Sequence, residues 1–233
     1  MHTLKVIAAL LHYPDEAVQA HADELIEVLD GEGLVGGSTR AGIVALIEDL
    51  RDGDLMDAQS RYIETFDRGR QRSLYLFEHV HGESRDRGAA MVDLQRAYAD
   101  HGFEIAVSEL PDYVPLFLEF CASLPDEQAL AWLEEVGHLL QLLHARLRER
   151  DSVYAVLLEP LLAFAAVPLD DPAVRDKAAG EERDDTAEAL DRVWMEEPVT
   201  FGPEGECASS VTRRKPAVQA VQWGAPRRAG SGT

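Results

Sequence analysis

The sequence predicts an all-α protein, a single compact helical bundle with a flexible C-terminal tail. Apolar residues recur at helical spacing along most of the chain, and no run of four to eight residues alternates like a strand between turn signals. The clearest example is an apolar stripe with steps of three and four, formed by Leu133, Val136, Leu140, Leu143 and Leu147. We expect this stripe to lie on a central helix from about Asp126 to Arg150.

Capping residues and helix breakers delimit the other helices. Asp and Ser favour helix starts because their side chains accept the first free N–H groups, and glycine favours helix ends. Gly31 and Gly53 are expected to end two of the helices. The predicted helices are Thr3 to His12, Asp15 to Leu29, Ser38 to Leu50, Asp54 to Phe66, Leu74 to Val80, Ser84 to Asp100, Asp112 to Ala122, and Val153 to Ala166.

The composition changes after Val167, which predicts the end of the packed domain. We expect a helical domain over residues 1–167, an acidic mobile linker over 168–202 and a disordered basic tail over 203–233. The linker has few large apolar residues, so burial offsets little of its ordering entropy. A short amphipathic helix from Asp184 to Met195 is its expected ordered part.

The charge balance excludes some classes of partner. The chain has 43 acidic and 22 basic residues and a formal net charge of −21, which repels nucleic acid and anionic membranes. A basic partner is favoured, although the charge can also serve solubility alone. The chain lacks a long apolar run or a signal-peptide pattern, and Cys121 and Cys207 form no metal or disulfide pattern, so a cytoplasmic location is expected.

An arginine cluster interrupts this acidic sequence between Phe66 and Gly88. Its members are Arg68, Arg70, Arg72, Arg85 and Arg87. Guanidinium groups bind phosphates through paired hydrogen bonds, which indicates an anion, cofactor or apoenzyme contact. In the alternative interpretation these side chains form surface ion pairs with the neighbouring acids Asp67, Glu78, Glu83 and Asp86.

The EHVHGE segment within this region superficially resembles a metal site. Glu78, His79 and His81 are the candidate ligands of a helical metal-dependent hydrolase. Side chains two apart on a helix point away from each other, and the histidines can instead be cations at a helix end. No HExxH, GxSxG, Walker A or GxGxxG motif supports an enzyme, and we expect no resident metal.

The ELPDYVPLFLEFCASLP segment combines apolar and acidic side chains near a predicted helix start. Tyr113, Leu116 and Phe120 could offer an apolar surface, with Asp112 and Glu119 at its edge. Such a surface suits a peptide that has both basic and apolar residues. A core helix with acids at its start and on its wet face explains the same pattern.

Three segments resemble one known family: YIETFDRGRQRSLYLFEHVHGESRDRGAAMVDL, ELPDYVPLFLEF and EEPVTFGP. Together with the opening LKVIAALLHYPDE, they are similar to the nitrate reductase molybdenum cofactor assembly chaperones, the NarJ or delta-subunit family. That family is part of the wider group of TorD-like molybdoenzyme chaperones. The resemblance implies one all-helical domain, no catalysis, and absence from the finished nitrate reductase.

The resemblance also implies the partners. It implies binding to the catalytic alpha subunit, including its N-terminal peptide, so that this subunit stays competent for molybdenum cofactor and Fe–S insertion before membrane docking. It implies no stoichiometric cofactor, and it allows a transient contact with the molybdenum cofactor and contacts with the proteins that synthesise it. The alternative within this frame is a structural subunit that stays in the complex.

Two patterns of the wider group point to a peptide-binding site. An aromatic–x–x–Leu–Phe–x–x–Gly pattern falls on Tyr62, Phe66 and Gly69, with Thr65 in place of leucine. A second pattern, Pro–x–Asp–His, falls on Pro111 and Asp112, and Tyr113 stands where the group usually has histidine. Together with the apolar and acidic surface of the ELPDYVPLFLEF segment, these patterns predict peptide binding by Tyr62, Phe66, Asp112, Tyr113, Leu116, Glu119 and Phe120.

Overall fold

The structure, a computed structural model, describes residues 1–81, 85–105 and 109–194. It confirms the all-α prediction, since these residues form helices joined by turns and one isolated backbone bridge. The helices are α1 (His2–Leu11), α2 (Glu16–Ala20), α3 (Ala22–Glu32), α4 (Gly37–Asp52), α5 (Leu55–Phe66), α6 (Glu78–His81), α7 (Arg85–Asp100), α8 (Val114–Ser123), α9 (Asp126–Glu149), α10 (Ala155–Phe164), α11 (Pro172–Ala179) and α12 (Ala187–Trp194).

The long helix α9 lies at the centre, as its stripe predicts. All five stripe residues from Leu133 to Leu147 are buried. Helix α9 packs against α8, α10 and α11, while α1 packs against α8 and α3. The N-terminal apolar run is therefore a core helix, and Leu4, Ile7 and Leu11 are fully buried within it.

The predicted helix from Asp15 to Leu29 is instead two helices, α2 and α3, which are separated at His21. Helix α3 continues through Gly31 and ends at Gly33, whose φ of 62° is the left-handed conformation that glycine adopts without strain. The extra turn places the Glu32 carboxylate 2.5 Å and 2.7 Å from the backbone nitrogens of His2 and Thr3. Glu32 therefore satisfies two free N–H groups at the start of α1.

The helix predicted from Leu74 to Val80 is wrong over most of its length. Only Glu78–His81 is helical, and residues 74–77 pair instead with the chain before α8. The Leu76 N–H donates to the Asp112 carbonyl at 3.0 Å, and the Val114 N–H donates to the Leu74 carbonyl at 2.8 Å. Leu74, Leu76 and Phe77 are all buried. Side chains that are buried on both faces fit a short extended segment. The apolar pattern alone does not distinguish such a segment from a buried helix.

Asp112 does not cap a helix as predicted, because α8 begins at Val114 and its N-cap position is Tyr113, without a side-chain cap. The Asp112 side chain instead accepts the Phe77 N–H at 3.1 Å. The aspartate therefore joins residues 74–77 to the start of α8. Pro115, in the first turn of α8, needs no N–H partner there.

Residues beyond 167 have contacts that composition did not indicate. Helix α11 starts at Pro172 with the Asp171 carboxylate as its cap and packs against α9. The short helix expected from Asp184 to Met195 is α12, which covers only Ala187–Trp194. The mobility of residues 168–202 and the end of the domain at residue 167 stay predictions. The predicted basic tail and the EEPVTFGP segment lie outside the described residues.

Candidate functional site

A buried tyrosine pair joins three parts of the chain. Tyr62, on α5, donates its hydroxyl hydrogen to the Leu11 carbonyl at 3.1 Å, and its oxygen lies 3.2 Å from the hydroxyl of Tyr113. The Phe66 ring, one turn further along α5, packs on Tyr62 with ring centroids 4.9 Å apart. The structure therefore brings Tyr113 to Tyr62 and Phe66 on α5, although Tyr113 lies 51 residues after Tyr62.

Most of the residues assigned to peptide binding are nevertheless buried. Tyr62, Phe66, Tyr113, Leu116 and Phe120 expose 7% of their surface or less. Phe120 belongs to another aromatic cluster, against Tyr98 and Trp132. Glu119 is exposed on the outer face of α8. These residues support the fold in this conformation, and their contact with a peptide stays a prediction.

An exposed apolar edge lies beside the tyrosine pair. It consists of Tyr13, Met56 and Ile63, which expose 43%, 75% and 41% of their surface. The Tyr13 ring meets the Tyr62 ring edge-on at 5.5 Å. Met56 and Ile63 are seven residues apart and so share one face of α5. Gln59, which lies between them, donates to the Pro14 carbonyl at 2.9 Å and fixes this face beside the Tyr13 loop.

Two carboxylates that were not predicted to belong to the peptide-binding site lie near these tyrosines. Partial desolvation raises the pKa of Asp67, and its negative charge adds to the burial that raises the pKa of Tyr62 and of Tyr113. Glu109 accepts a hydrogen bond from the Tyr75 hydroxyl at 3.1 Å, and the Tyr75 ring packs on Tyr113 at 5.4 Å. An apolar edge with carboxylates nearby can hold a peptide that carries both apolar and basic side chains.

Asp112 has a different position from the one expected. Its side chain is fully buried, and burial raises the pKa of this carboxyl. One oxygen accepts the Phe77 N–H and lies 3.8 Å from a guanidinium nitrogen of Arg87. The other oxygen has no hydrogen-bond partner. In this conformation Asp112 orders residues 74–77 rather than forming the edge of an open surface.

The arginines whose side chains the structure describes differ in burial and in partners. Arg72 is buried and donates to the Asp185 carboxylate at 2.8 Å. Arg87 donates to Glu78 at 3.1 Å, one of the pairs in the surface-network alternative. Arg68 and Arg70 are exposed, and the side chain of Arg85 lies outside the described residues. Contact of these arginines with an anion or an apoenzyme stays a prediction.

Arg146, on α9, connects several of these segments and was missed by sequence reasoning. Its guanidinium donates to both Glu181 oxygens at 2.6 Å, to the Gln71 carbonyl at 3.0 Å and to Nδ1 of His79 at 2.8 Å. Nε2 of His79 donates to the Ser73 carbonyl at 2.8 Å. One arginine thus joins α9 to residues 71–79 and to residue 181. Its pattern on α9 resembles that of any basic residue near a helix end, so only the fold identifies it.

His79 is a neutral hydrogen-bonding group in this network. Desolvation, assisted by the Arg146 charge, lowers the pKa of His79 to about 4. The interpretation of this residue as a cation at a helix end is therefore wrong. Both ring nitrogens are already hydrogen-bonded, and within the described residues no three His, Cys, Asp or Glu side chains are grouped as metal ligands. The side chain of His81 lies outside the description.

A cavity of about 410 Å³ lies between α9, α10 and α11. His144 borders it with Glu159, Arg148 and Leu169, and burial lowers the pKa of this histidine. The Glu159 carboxylate accepts the Thr39 hydroxyl at 2.5 Å, so part of the wall also ties α10 to α4. Charges of both signs line the cavity, which therefore selects no one class of ligand.

No helix in residues 1–81, 85–105 and 109–194 is both long and apolar enough to cross a bilayer. The family model described as "Nitrate reductase delta subunit" matches residues 13–158, which include the tyrosine pair, Arg72 and Arg146.

Curated proteins are similar over most of the chain. It is 45% identical over 210 residues to "Nitrate reductase molybdenum cofactor assembly chaperone NarJ" of Escherichia coli (strain K12), covering 90% of this chain and 89% of that protein. It is 42% identical over 201 residues to "Probable nitrate reductase molybdenum cofactor assembly chaperone NarW" of the same strain, with coverage of 86% and 84%.

A more distant relative comes from another organism. The "Probable nitrate reductase molybdenum cofactor assembly chaperone NarJ" of Bacillus subtilis (strain 168) is 32% identical over 178 residues, which are 76% of this chain and 94% of that protein. All three relatives are named as assembly chaperones rather than as enzymes. The match of the family model and these identities agree with the resemblance in the sequence, and the chain belongs to the nitrate reductase delta subunit family.

Proposed function

We propose that this chain is a non-catalytic assembly chaperone for a nitrate reductase and that it works in the cytoplasm. The observation that carries this proposal is the 45% identity, over 90% of the chain, to a protein named as a nitrate reductase molybdenum cofactor assembly chaperone. Its partner is the catalytic alpha subunit, which it keeps competent for molybdenum cofactor and Fe–S insertion before membrane docking. The molybdenum cofactor is cargo of this process, and its contact with the chaperone is transient.

The apolar edge of Tyr13, Met56 and Ile63 supports a more specific role in binding the N-terminal peptide of the alpha subunit. Apolar side chains that stay in water can gain free energy when a partner covers them. Asp67 and Glu109 supply negative charge near this edge, and the chain as a whole has a net charge of −21. A peptide with an apolar face and basic side chains fits this chemistry.

Calorimetric titration of the full chain with the first twenty or so residues of the alpha subunit tests the proposal. We expect the Met56→Ser, Ile63→Ser double variant to bind this peptide about tenfold or more weakly, because burial of each exposed apolar side chain contributes on the order of 1 kcal/mol. Val92→Ser is the matched control, since Val92 is 54% exposed on α7. Equal affinity of the double variant and wild type would exclude the apolar edge.

A second pair of variants tests the charged part of the surface. Asp67→Asn with Glu109→Gln removes the two carboxylates near the tyrosines and should weaken peptide binding modestly, by about 0.5–2 kcal/mol, with less effect at high salt. Glu119→Gln is measured separately, because Glu119 is the exposed carboxylate of the sequence-based site. Asp112→Asn is unsuitable here, since it would disturb residues 74–77. Unchanged affinity at low salt in both variants would remove these carboxylates from the site.

The alternative of a subunit that stays in the complex predicts a different distribution in cells. Fractionation of cells that express nitrate reductase compares the amount of this chain in the assembled membrane enzyme with the amount outside it. A chaperone should be substoichiometric in the purified membrane enzyme. Equal amounts of this chain and the alpha subunit there would contradict the proposal.

A further inference from the structure

Residues 181–185, the acidic segment, fill a basic recess on the surface of the bundle. Asp184 accepts the Gln71 N–H at 2.8 Å, and Asp185 accepts from the Arg72 guanidinium at 2.8 Å. Both oxygens of Glu181 accept from Arg146 at 2.6 Å. Three carboxylates of five consecutive residues thus occupy a recess whose donors belong to α9 and to the loop after α5.

The donors of this recess also have contacts outside the acidic segment. The side chains of Arg72 and Arg146 expose only 8% and 13% of their surface. Arg146 is also bonded to Gln71 and His79, and Arg72 lies 3.5 Å from the Glu64 carbonyl. Arg146, held by two such hydrogen bonds, presents a preorganised guanidinium to an oxyanion, and the nearly buried Arg72 adds a second guanidinium.

Gly69 allows an oxyanion to approach the backbone of the recess. A Cβ atom at this position would lie 2.5 Å from a carboxylate oxygen of Asp184, which is far inside van der Waals contact. Any side chain here would therefore collide with the bound carboxylate. Glycine at a close approach between backbone and anion is a feature that phosphate-binding loops share.

The acidic segment itself is held mainly by charge. Its five residues contain four carboxylates and the Arg183 guanidinium, and each of the five is at least partly exposed. Gly180 precedes it and ends α11. A segment that lacks apolar side chains can leave the recess without exposing a hydrophobic surface, provided that another anion replaces its carboxylates.

We propose that this recess is a binding site for a diphosphate group and that the acidic segment fills it until such a ligand displaces the carboxylates. Arg146 would bind one phosphate, and Arg72 with the Gln71 N–H would bind the next. A diphosphate places more charge and more acceptor oxygens in the recess than the carboxylates do. A carboxylate of another protein would present the same groups as the acidic segment. It would not compete well, because the acidic segment belongs to the same chain and so has a high effective concentration at the recess.

This inference goes beyond the chaperone function and does not depend on it, because the recess lies on elements other than the apolar edge. The test uses the full chain, inorganic pyrophosphate as the probe, and the Asp184→Asn, Asp185→Asn double variant. We expect pyrophosphate to bind this variant about tenfold or more tightly than wild type in calorimetry at constant ionic strength, because the competing carboxylates are neutral. Pyrophosphate should also raise the melting temperature of the variant more than that of wild type.

Two further variants make the test specific. Addition of Arg146→Gln to the double variant should abolish the gain in pyrophosphate affinity. Asp170→Asn, which neutralises an exposed carboxylate paired with Arg175, should bind pyrophosphate as wild type does. If the double variant does not fold, Glu181→Gln serves instead, because it frees the Arg146 fork and leaves Asp184 and Asp185 in place.

Three results would overturn the proposal. They are no gain in affinity in the neutralised variant, an equal gain in Asp170→Asn, and an equal melting-temperature increase from sulfate at the same ionic strength. The first would show that the carboxylates do not cover a diphosphate site, and the other two would show only general charge effects.

Discussion

The side chains of the basic recess and those of the apolar edge lie in opposite environments. In the recess, Arg72 and Arg146 are largely buried, and carboxylates from residues 181–185 pair with them. At the apolar edge, Met56 and Ile63 stay in water beside a buried tyrosine pair. The chain thus pairs two of its rare cations internally, while apolar side chains near Asp67 and Glu109 remain available to a partner. Under the proposed function, the acidic surplus therefore bears on partner choice as well as on solubility.

The strongest test of this difference is Arg146→Gln. We expect the free energy of unfolding to fall by about 2–4 kcal/mol, because the partly buried Glu181 carboxylate loses its ion-pair partner while Gln71 and His79 lose hydrogen bonds. Urea unfolding measures this change. Arg192→Gln is the control, since its ion pair with Glu182 is exposed and should contribute little. A loss no larger than that of the control would mean that the recess does not stabilise the fold.

Acid should weaken the recess through His79. This histidine has a pKa of about 4 when folded and about 6.5 when unfolded. Below about pH 6.5 the unfolded chain therefore binds a proton that the folded chain does not, so stability falls as the pH decreases toward 4. Between about pH 7 and pH 5 the loss should be roughly 2 kcal/mol from this residue.

The contribution of His79 is isolated by comparing wild type with His79→Gln in urea unfolding at both pH values. His138 and His144 also have lowered pKa values because of burial, and they remain in both proteins. The variant should lose less stability than wild type on acidification. Parallel losses would show that the Arg146–His79 contact is not maintained in solution.

Gly69→Ala tests the close approach of the acidic segment. The added methyl group would collide with Asp184, so we expect a loss of about 1–2 kcal/mol in the free energy of unfolding. Gly88→Ala, on α7, is the matched control because its Cβ meets nothing within 4 Å, and it should instead add roughly 0.5–1 kcal/mol. Urea unfolding of the two variants measures both changes. A neutral Gly69→Ala would indicate that residues 181–185 do not lie against this loop.

The smallest expected effect concerns the tyrosine pair beneath the apolar edge. Tyr62→Phe should cost about 1 kcal/mol, because the Leu11 carbonyl and the Tyr113 hydroxyl both lose a partner. A double-mutant cycle with Tyr113→Phe measures the coupling between the two hydroxyls. Peptide affinity should change little, since both hydroxyls are buried. A large loss of affinity with normal stability would move the binding site onto the pair itself.

The sequence predicts the bundle better than the site. The stripe on α9 is a strong helical signal, and the burial of its five leucine and valine residues confirms it. Residues 74–77 were misassigned because consecutive apolar residues satisfy both a buried helix and a short extended segment. Helix α11 was missed, although Asp171 before Pro172 is a helix-start signal, because the surrounding composition suggested little burial.

Long-range pairing explains the rest of the difference. Arg72 and Asp185 are 113 residues apart, and no local pattern indicates that they meet. Composition suggested that the residues after 167 bury little, but two of their carboxylates pair with the largely buried Arg72 and Arg146. Loss of the buried Arg72 is therefore expected to destabilise the fold.

Tyr113 also has a consequence for acid sensitivity, because it occupies a position where the wider chaperone group usually has histidine. A histidine there would change its charge near its ordinary pKa, within about pH 5–8. Burial instead raises the pKa of the Tyr113 phenol, which therefore stays neutral across that whole interval. The hydroxyl contact with Tyr62 is thus expected to persist when a cell acidifies, while the His79 contact weakens. The stability of the Tyr62–Tyr113 contact and that of the Arg146–His79 contact would then depend on cellular pH to different extents.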